Sequence, residues 1–149
     1  MIARLIGLLK EKKLTLAAAE SCTGGAFMAR CVLVSGASEV LRGGVVAYSE
    51  DLKVKLLGVK QETLDEHGVV SEQVAKEMAV GLRGKLGADI GVAITGFAGP
   101  TGDPVGEVCF AVAIGGDVFP VTKNFSGTRS EIIDASVDFI GEWLCEALS

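Results

Sequence analysis

Ser21 stands in the segment ESCTGG, where a short apolar run gives way to two glycines. This order predicts a strand, a tight turn and a helix, and a hydroxyl at such a turn can act as a nucleophile. The first backbone N–H groups of the helix carry partial positive charge, so the turn can also hold an anion or an oxyanion. Two simpler interpretations stay open. Ser21 or Thr23 is a plain helix N-cap, and Cys22 is either a rival nucleophile or a packing residue.

A serine nucleophile requires a base, and the candidates here are few. The single histidine, His67, lies in the polar segment LDEHGVVS, where we expect a solvated loop. Lys53 lies on the first turn of a predicted helix, five residues beyond Tyr48, the only tyrosine. A lysine base must be neutral, and lowering its pKa from about 10.4 to about 7 costs roughly 4.6 kcal/mol, a shift that burial can supply. Tyr48 either passes a proton between Ser21 and Lys53 or simply ends a strand.

The segment GFAGPTG is a loop of small residues whose backbone can approach a ligand closely. It lacks the GK[ST] ending of a Walker loop and the spacing of GxGxxG, so it is either a phosphate cradle or a structural turn. Arg129 follows SGT near the start of the last predicted helix. An arginine there either clamps a phosphate or carboxylate or is an ordinary surface charge.

Hydrophobic periodicity and capping residues predict the elements that carry these segments. The predicted helices cover residues 2–12, 26–34, 50–57, 61–66, a segment between Ser71 and Gly87, and a last helix opened by a capping box of Thr128 and Glu131. The predicted strands cover residues 14–19, 43–48, 89–95, 108–114 and 118–123, the last two joined by the hairpin signal GGD. The last helix is expected to bury the stripe Ile132, Ala135, Phe139 and Trp143.

Strands alternate with helices apart from one hairpin. This alternation predicts an α/β fold, a three-layer α/β/α sandwich with a mixed β-sheet, as a single domain over residues 1–149. In such sheets ligands bind outside the carboxyl ends of the strands. ESCTGG, YSEDLK and TGFAGPTG all stand where a predicted strand ends. Their coincidence at one edge of the sheet is the main argument from the residues for a site.

Composition and charge limit the classes of function. The chain has 149 residues, of which 49% are hydrophobic, and its formal net charge of −5 gives no support to a nucleic-acid partner. No apolar run reaches the length of a membrane span, and the first residues lack the pattern of a signal peptide. The four cysteines show no CxxC pair, so we expect reduced thiols, no metal site and a cytoplasmic protein.

Taken together, the segments resemble one known family, the C-terminal domain of the competence/damage-inducible protein CinA. Its stand-alone form is the nicotinamide-nucleotide amidase PncC. The resemblance is carried, in this order and spacing, by LTLAAAESCTGG, GGVVAYSEDLKVKLLGV, GVVSEQVAKEMAVG, GADIGVAITGFAGP and GTRSEI. It covers residues 14–132, nearly the whole chain.

The resemblance implies hydrolysis of the carboxamide of nicotinamide mononucleotide to nicotinate mononucleotide and ammonia, with no cofactor. It implies that Ser21 is the nucleophile and that Tyr48 and Lys53, from the family segment YSxxxK, complete the catalytic group. The expected substrate-binding residues lie in the turn after Ser21, in the TGxAGP loop and in the G-x-R segment: Cys22, Thr23, Gly24, Gly25, Thr95, Gly96, Gly99 and Arg129.

Two departures from the family pattern bear on the substrate. The family loop usually reads AGPxGG with a lysine before PVG, whereas this chain has the shorter AGPTGDPVG. Family members also often carry a second basic residue shortly after the arginine, where this chain has Glu131 and Asp134. An alternative function is therefore a non-catalytic nucleotide-binding module of the same fold. In both cases the expected partner is a small molecule, without nucleic acid or membrane, and a homo-oligomer is compatible with the sequence.

Overall fold

The elements of the computed structural model, which describes residues 1–149, follow the local signals of the sequence. The helices are α1 (Ile2–Lys12), α2 (Ala26–Val32), α3 (Glu50–Leu57), α4 (Gln61–His67), α5 (Glu72–Leu86) and α6 (Arg129–Leu148). The strands are β1 (Leu16–Glu20), β2 (Leu41–Val46), β3 (Ile90–Gly96), β4 (Glu107–Ile114) and β5 (Asp117–Asn124). None of the helices has both the length and the apolar composition needed to cross a membrane.

The five strands form one mixed sheet in the order β2-β1-β3-β4-β5. β2, β1 and β3 are parallel, whereas β4 is antiparallel to both of its neighbours. Helices α1, α2 and α6 cover one face of the sheet, and α3, α4 and α5 cover the other. The predicted three-layer α/β/α sandwich with a mixed sheet is therefore confirmed.

The two faces of the sheet carry side chains of different size. On the face toward α1 and α6, β3 contributes Ile90, Val92 and Ile94. On the face toward α5 it contributes smaller residues, and a Cβ added at Gly91 would lie 2.5 Å from the carbonyl oxygen of Ala79 in α5. Helix α5 therefore packs directly on the backbone of the sheet. Because both faces are buried, β3 is apolar along nearly its whole length.

Two elements end earlier than the apolar pattern suggests. Helix α2 ends at Val32, and β2 ends at Val46, so that Tyr48 lies beyond the strand that it was expected to end. His67 is exposed as predicted, but it is the last residue of α4 rather than part of a loop.

The buried face of α6 is displaced from the predicted stripe. Ile132 is buried as predicted, but the other members of the stripe are only partly buried: Ala135, Phe139 and Trp143. The buried positions that follow are Ser136, Val137, Ile140, Gly141, Leu144, Cys145 and Leu148. Close packing against α1 selects this face, since a Cβ added at Gly141 would lie 2.8 Å from the Ile2 side chain. The larger aromatic rings stack at the edge of the layer instead.

Candidate active site

The carboxyl ends of β2, β1 and β3 lie side by side at one edge of the sheet, because the three strands are parallel. The chain leaves β1 into α2 on one face and leaves β2 into α3 on the other, which opens a crevice between them. A cavity of about 320 Å³ occupies this place. It is lined by most of the residues predicted for the site: Ser21, Cys22, Tyr48, Lys53, Thr95, Gly96 and Arg129.

Lys53 and Ser21 are in contact at this cavity. The Lys53 side chain has no exposed surface, and its Nζ atom lies 2.9 Å from Ser21 Oγ. Nζ also contacts two carbonyl oxygens, that of Ala47 at 2.7 Å and that of Tyr48 at 3.2 Å. Burial lowers the pKa of the Lys53 amine below its ordinary value, although the carboxylate of Glu50 acts in the opposite direction.

The two carbonyl contacts fix the orientation of the Lys53 amine in its neutral form. Neutral lysine has two N–H bonds and one lone pair. When the N–H bonds donate to the carbonyl oxygens of Ala47 and Tyr48, the lone pair is left facing the hydroxyl of Ser21. This is the contact that a serine nucleophile needs with its base, and no other residue stands between the two.

The turn that carries Ser21 is held by the backbone. The Ser21 N–H donates to the Ile94 carbonyl in β3 at 3.0 Å, and the Gly24 N–H donates back to the Ser21 carbonyl. Gly24 and Gly25 have φ values of 59° and 104°, in the left-handed region that favours glycine. The N–H groups of Cys22, Thr23 and Gly25 have no backbone acceptor. Of the predicted residues in this turn after Ser21, only Cys22 lines the cavity, whereas Thr23, Gly24 and Gly25 do not.

The simple N-cap interpretation of this turn is wrong. Neither Ser21 nor Thr23 caps α2, whose N-cap residue is Gly25 without any side-chain hydrogen bond of its own. Glu20, the last residue of β1, caps the helix instead. Its carboxylate accepts from the N–H groups of Phe27 and Met28 in the first turn of α2. The carboxyl of Glu20 sits where a ligand anion would otherwise meet the first turn of α2.

Glu20 is a functional candidate that sequence reasoning missed. Its side chain is 1% exposed. Its Oε1 atom accepts from the Thr23 hydroxyl at 2.6 Å and from the Phe27 N–H at 2.9 Å, and its Oε2 atom accepts from the Met28 N–H at 3.0 Å. The sequence feature that could have identified Glu20 is an acidic residue at the end of an otherwise apolar strand, directly before Ser21.

The Tyr48 hydroxyl does not lie between Ser21 and Lys53. The Tyr48 residue is 59% exposed, and its hydroxyl accepts from the Arg129 guanidinium at 2.9 Å. The same guanidinium donates to the carbonyl of Gly99. Arg129 thus joins the end of β2 to the loop after β3 at the mouth of the cavity, and Gly99 takes part through its backbone rather than by lining the wall.

Thr95 and Cys22 are buried at the floor of the cavity. The Thr95 hydroxyl donates to the Val69 carbonyl at 3.1 Å, which holds the segment between α4 and α5 against the end of β3. That segment forms one wall of the cavity. Burial raises the pKa of the Cys22 thiol to about 12, so the thiol is protonated at neutral pH. A protonated thiol is a poor nucleophile, which favours Ser21 over its neighbour.

Comparison with known proteins connects this geometry with one family. The model of the CinA C-terminal domain matches residues 1–148. A CinA-like protein of Thermotoga sp. strain RQ2 is 50% identical over 132 residues, which are 86% of this chain and 32% of that protein. A CinA-like protein of Kosmotoga olearia is 42% identical over 148 residues, 97% of this chain and 36% of that protein. The chain therefore spans about a third of the length of these relatives.

Solved structures agree with the sequence matches. A competence-damaged protein (CinA) superfamily protein from Klebsiella pneumoniae 700603 has a TM-score of 0.97 at 34% identity, covering 99% of this chain and 94% of the other. A competence or damage-inducible protein from Enterobacter asburiae also has a TM-score of 0.97, at 38% identity, covering 99% and 96%. The likeness extends over the whole sandwich, including the sheet edge that carries the cavity.

Proposed function

This chain belongs to the CinA C-terminal domain family, and from that premise we propose that it is an amidohydrolase acting on nicotinamide mononucleotide. The products are nicotinate mononucleotide and ammonia. The observation that carries the proposal is the 2.9 Å contact between the buried Lys53 amine and Ser21 Oγ. A buried lysine beside a serine, at the carboxyl edge of a parallel sheet, is an arrangement suited to acyl transfer.

In the first half of the proposed reaction, Lys53 takes the proton of the Ser21 hydroxyl. The Ser21 oxygen forms a bond to the amide carbon of the substrate, and the carbonyl π electrons move to its oxygen. The unpaired N–H groups of the turn after Ser21 are the candidate donors to this oxyanion, and that of Cys22 belongs to a residue that lines the cavity. Each donor of this kind contributes about 3–4 kcal/mol to such a transition state. The oxyanion then re-forms the carbonyl as the C–N bond breaks, the Lys53 ammonium gives its proton to the departing nitrogen, and ammonia leaves the Ser21 ester behind.

The second half returns the enzyme to its starting state. Neutral Lys53 takes a proton from a water molecule, whose oxygen attacks the ester carbon of the acyl-enzyme. The tetrahedral adduct collapses, the bond to Ser21 breaks, and the Lys53 proton returns to the serine oxygen. Both halves use the same pair of residues, and every step is a proton transfer or an acyl transfer.

The lining of the cavity supports a pyridine mononucleotide as the substrate. Its volume of about 320 Å³ falls in the range of small-molecule sites, roughly 300–1,000 Å³. Arg129 offers a guanidinium that suits a phosphate, and Glu50 offers a carboxylate that suits the positive charge of the pyridinium ring. The side chains of Val70 and Phe97 add apolar surface for an aromatic ring.

The test is ammonia release from nicotinamide mononucleotide by the wild-type protein and by Ser21→Ala. We expect release by the wild type and none above background by Ser21→Ala, with circular dichroism showing that the variant is folded. Release by both proteins would move the nucleophile away from Ser21. If neither protein releases ammonia but both bind the nucleotide in a calorimetric titration, the result would favour the non-catalytic binding module instead.

A further inference from the structure

The carboxylate of Glu20 has three partners, and all of them lie in the chain that immediately follows the nucleophile candidate. One is the hydroxyl of Thr23, in the turn itself. The others are the backbone N–H groups of Phe27 and Met28, in the first turn of α2. The carboxylate therefore ties the end of β1, the turn and the helix into one unit.

The backbone of Glu20 is fixed as firmly as its side chain. Its carbonyl accepts from the Ala47 N–H at 2.9 Å, and the residue pairs with Ile94 in the parallel register of β1 and β3. Ala47 is the same residue whose carbonyl oxygen contacts Lys53 Nζ. Glu20 thus holds the turn of Ser21 on one side and the chain beneath the Lys53 amine on the other.

The turn after Ser21 has a flexible backbone, which the Glu20 carboxylate restrains. It contains Gly24 and Gly25, both with positive φ, and glycine restricts the backbone less than any other residue. Three of its N–H groups have no partner in the protein. Without the carboxylate, Thr23 loses its only side-chain partner and the first turn of α2 loses two acceptors.

We infer that Glu20 is a positioning residue, whose buried carboxylate holds the Ser21 turn so that Ser21 Oγ stays in contact with Lys53 Nζ and the free N–H groups keep one arrangement. This inference rests on the proposed function, because it assigns a role in that reaction. Glu20 does not touch the substrate and transfers no proton. Its effect is on geometry, and a misplacement of about 1 Å at a reacting atom costs on the order of a hundredfold in rate.

The test uses Glu20→Gln with Thr23→Val as a second variant. The carboxamide of glutamine has one acceptor oxygen where the carboxylate has two, and its NH2 group opposes the Met28 N–H. We expect Glu20→Gln to lower kcat about a hundredfold while KM changes less than about threefold, since the cavity wall is unchanged. Thr23→Val removes one contact of three, so we expect a smaller loss of kcat, about tenfold.

The chain contains a similar but only partly buried carboxylate outside the lining of the cavity, which serves as the control. Glu77 in α5 accepts from the Thr63 hydroxyl at 2.6 Å and from the Lys60 N–H at 2.8 Å, much as Glu20 does in its own turn. Glu77→Gln and Thr63→Val remove equivalent hydrogen bonds from the same fold. A kcat unchanged within about twofold in these two variants separates positioning from a general loss of stability.

Covalent labelling separates this inference from the proposed function. A fluorophosphonate reacts with an activated serine without any amide substrate, so the part of the labelling that is lost in Ser21→Ala reports on Ser21. The inference is supported if wild type and Glu77→Gln are labelled at similar rates. Glu20→Gln and Thr23→Val should then be labelled more slowly. Equal labelling of wild type and Glu20→Gln overturns the inference and leaves the proposed function in place. If Glu20→Gln does not fold, Thr23→Val decides in the same way.

Two other outcomes are also decisive. An unlabelled wild type that also releases no ammonia overturns both statements, because Ser21 is then not a nucleophile. A raised KM with unchanged kcat in Glu20→Gln contradicts the inference, because the carboxylate would then shape the substrate pocket rather than the nucleophile. In the double variant Glu20→Gln/Thr23→Val we expect a larger loss than in either single variant, since Glu20→Gln opposes the Met28 N–H whereas Thr23→Val removes the hydroxyl that donates to the other oxygen.

Discussion

At Lys53 a side chain that normally carries charge is fully buried and has no carboxylate within ion-pair distance. An isolated buried charge is costly, so such a lysine lowers its pKa and favours the neutral form. The neighbouring Cys22 is buried as well, but burial raises the pKa of a thiol and keeps it protonated. The same environment therefore favours a reactive amine and an unreactive thiol. Groups perturbed in this way cluster at functional sites, which supports the proposed chemistry.

The pH dependence of the reaction follows from the lowered pKa of Lys53. Protonated Lys53 cannot accept the serine proton, so kcat/KM rises with pH as the amine loses its proton, with a midpoint below the ordinary lysine value of 10.5. The carboxylate of Glu50 raises the pKa of Lys53, so Glu50→Gln should move this midpoint to lower pH. Rate measurements from pH 6 to 10 test both statements. Asp51→Asn, at the adjacent exposed acid, is the control and should leave the midpoint in place.

Tyr48 and Lys53 are expected to affect different kinetic constants. The Tyr48 hydroxyl contacts Arg129 and not the amine, whereas its backbone carbonyl contacts Lys53 Nζ. Tyr48→Phe keeps the carbonyl, so we expect kcat within about tenfold of wild type and a rise in KM through the released Arg129. Lys53→Arg should be inactive, because arginine does not give up its proton. A hundredfold loss of kcat in Tyr48→Phe would instead support a proton relay through the phenol.

At the scale of elements, the position of Lys53 depends on how closely α3 approaches α5. Helix α3 carries Lys53 in its first turn and ends at Leu57. A Cβ added at Gly81 of α5 would lie 1.7 Å from the Leu57 carbonyl oxygen. The missing side chain at Gly81 therefore lets the two helices pack backbone to backbone. The sequence showed Gly81 only as an unfavourable residue within a helix.

Two glycines of the same helix should respond to alanine with opposite signs. Gly81→Ala forces α3 away from α5, so we expect a loss of about 1–3 kcal/mol in the free energy of unfolding and a reduced kcat. Gly84 has open space at its Cβ position, so Gly84→Ala should add about 0.5–1 kcal/mol with unchanged kcat. Urea unfolding and ammonia release measure the two effects. Equal stability of the two variants would contradict this packing.

At the scale of the whole molecule, one sheet separates two cores and contributes side chains to both. Neighbouring residues of β1, β3 and β4 point alternately into the core under α1 and α6 and into the core under α5. The loss of either helix layer exposes one face of the same strands. The fold and the site edge therefore depend on both layers at once, and we expect a single cooperative transition.

A destabilising substitution in one core should shift the unfolding transition that is measured by a fluorescent residue in the other core. Met78 is fully buried in the core under α5, and Met78→Ala should cost about 2–5 kcal/mol. Trp143, the only tryptophan, packs against the opposite core. Its fluorescence in urea should shift by the same amount as the far-UV circular dichroism of the whole chain. Separate transitions for the two signals would show that the layers unfold independently.

The types of the elements, the class of the fold and the segments of the candidate site can all be predicted from the sequence. Gly87 ends α5 as predicted, Gly58 follows the end of the helix predicted over residues 50–57, and the capping box of Thr128 and Glu131 begins α6. These features depend on periods and caps within a few residues of the chain, which are readable without any tertiary structure. The family motif likewise identifies Ser21 and Lys53 as candidates without reference to their contact.

The contacts of these side chains, in contrast, depend on the tertiary structure. Lys53 and Ser21 lie 32 positions apart, and their contact exists because β2 and β1 are parallel neighbours whose ends meet at one edge. The enclosure of Glu20 and the link from Tyr48 to Arg129 depend likewise on strands and loops that are distant in sequence. Local patterns report which face of an element is apolar. Burial, and with it the lowered pKa of a lysine, is a property of what the rest of the chain places around that residue.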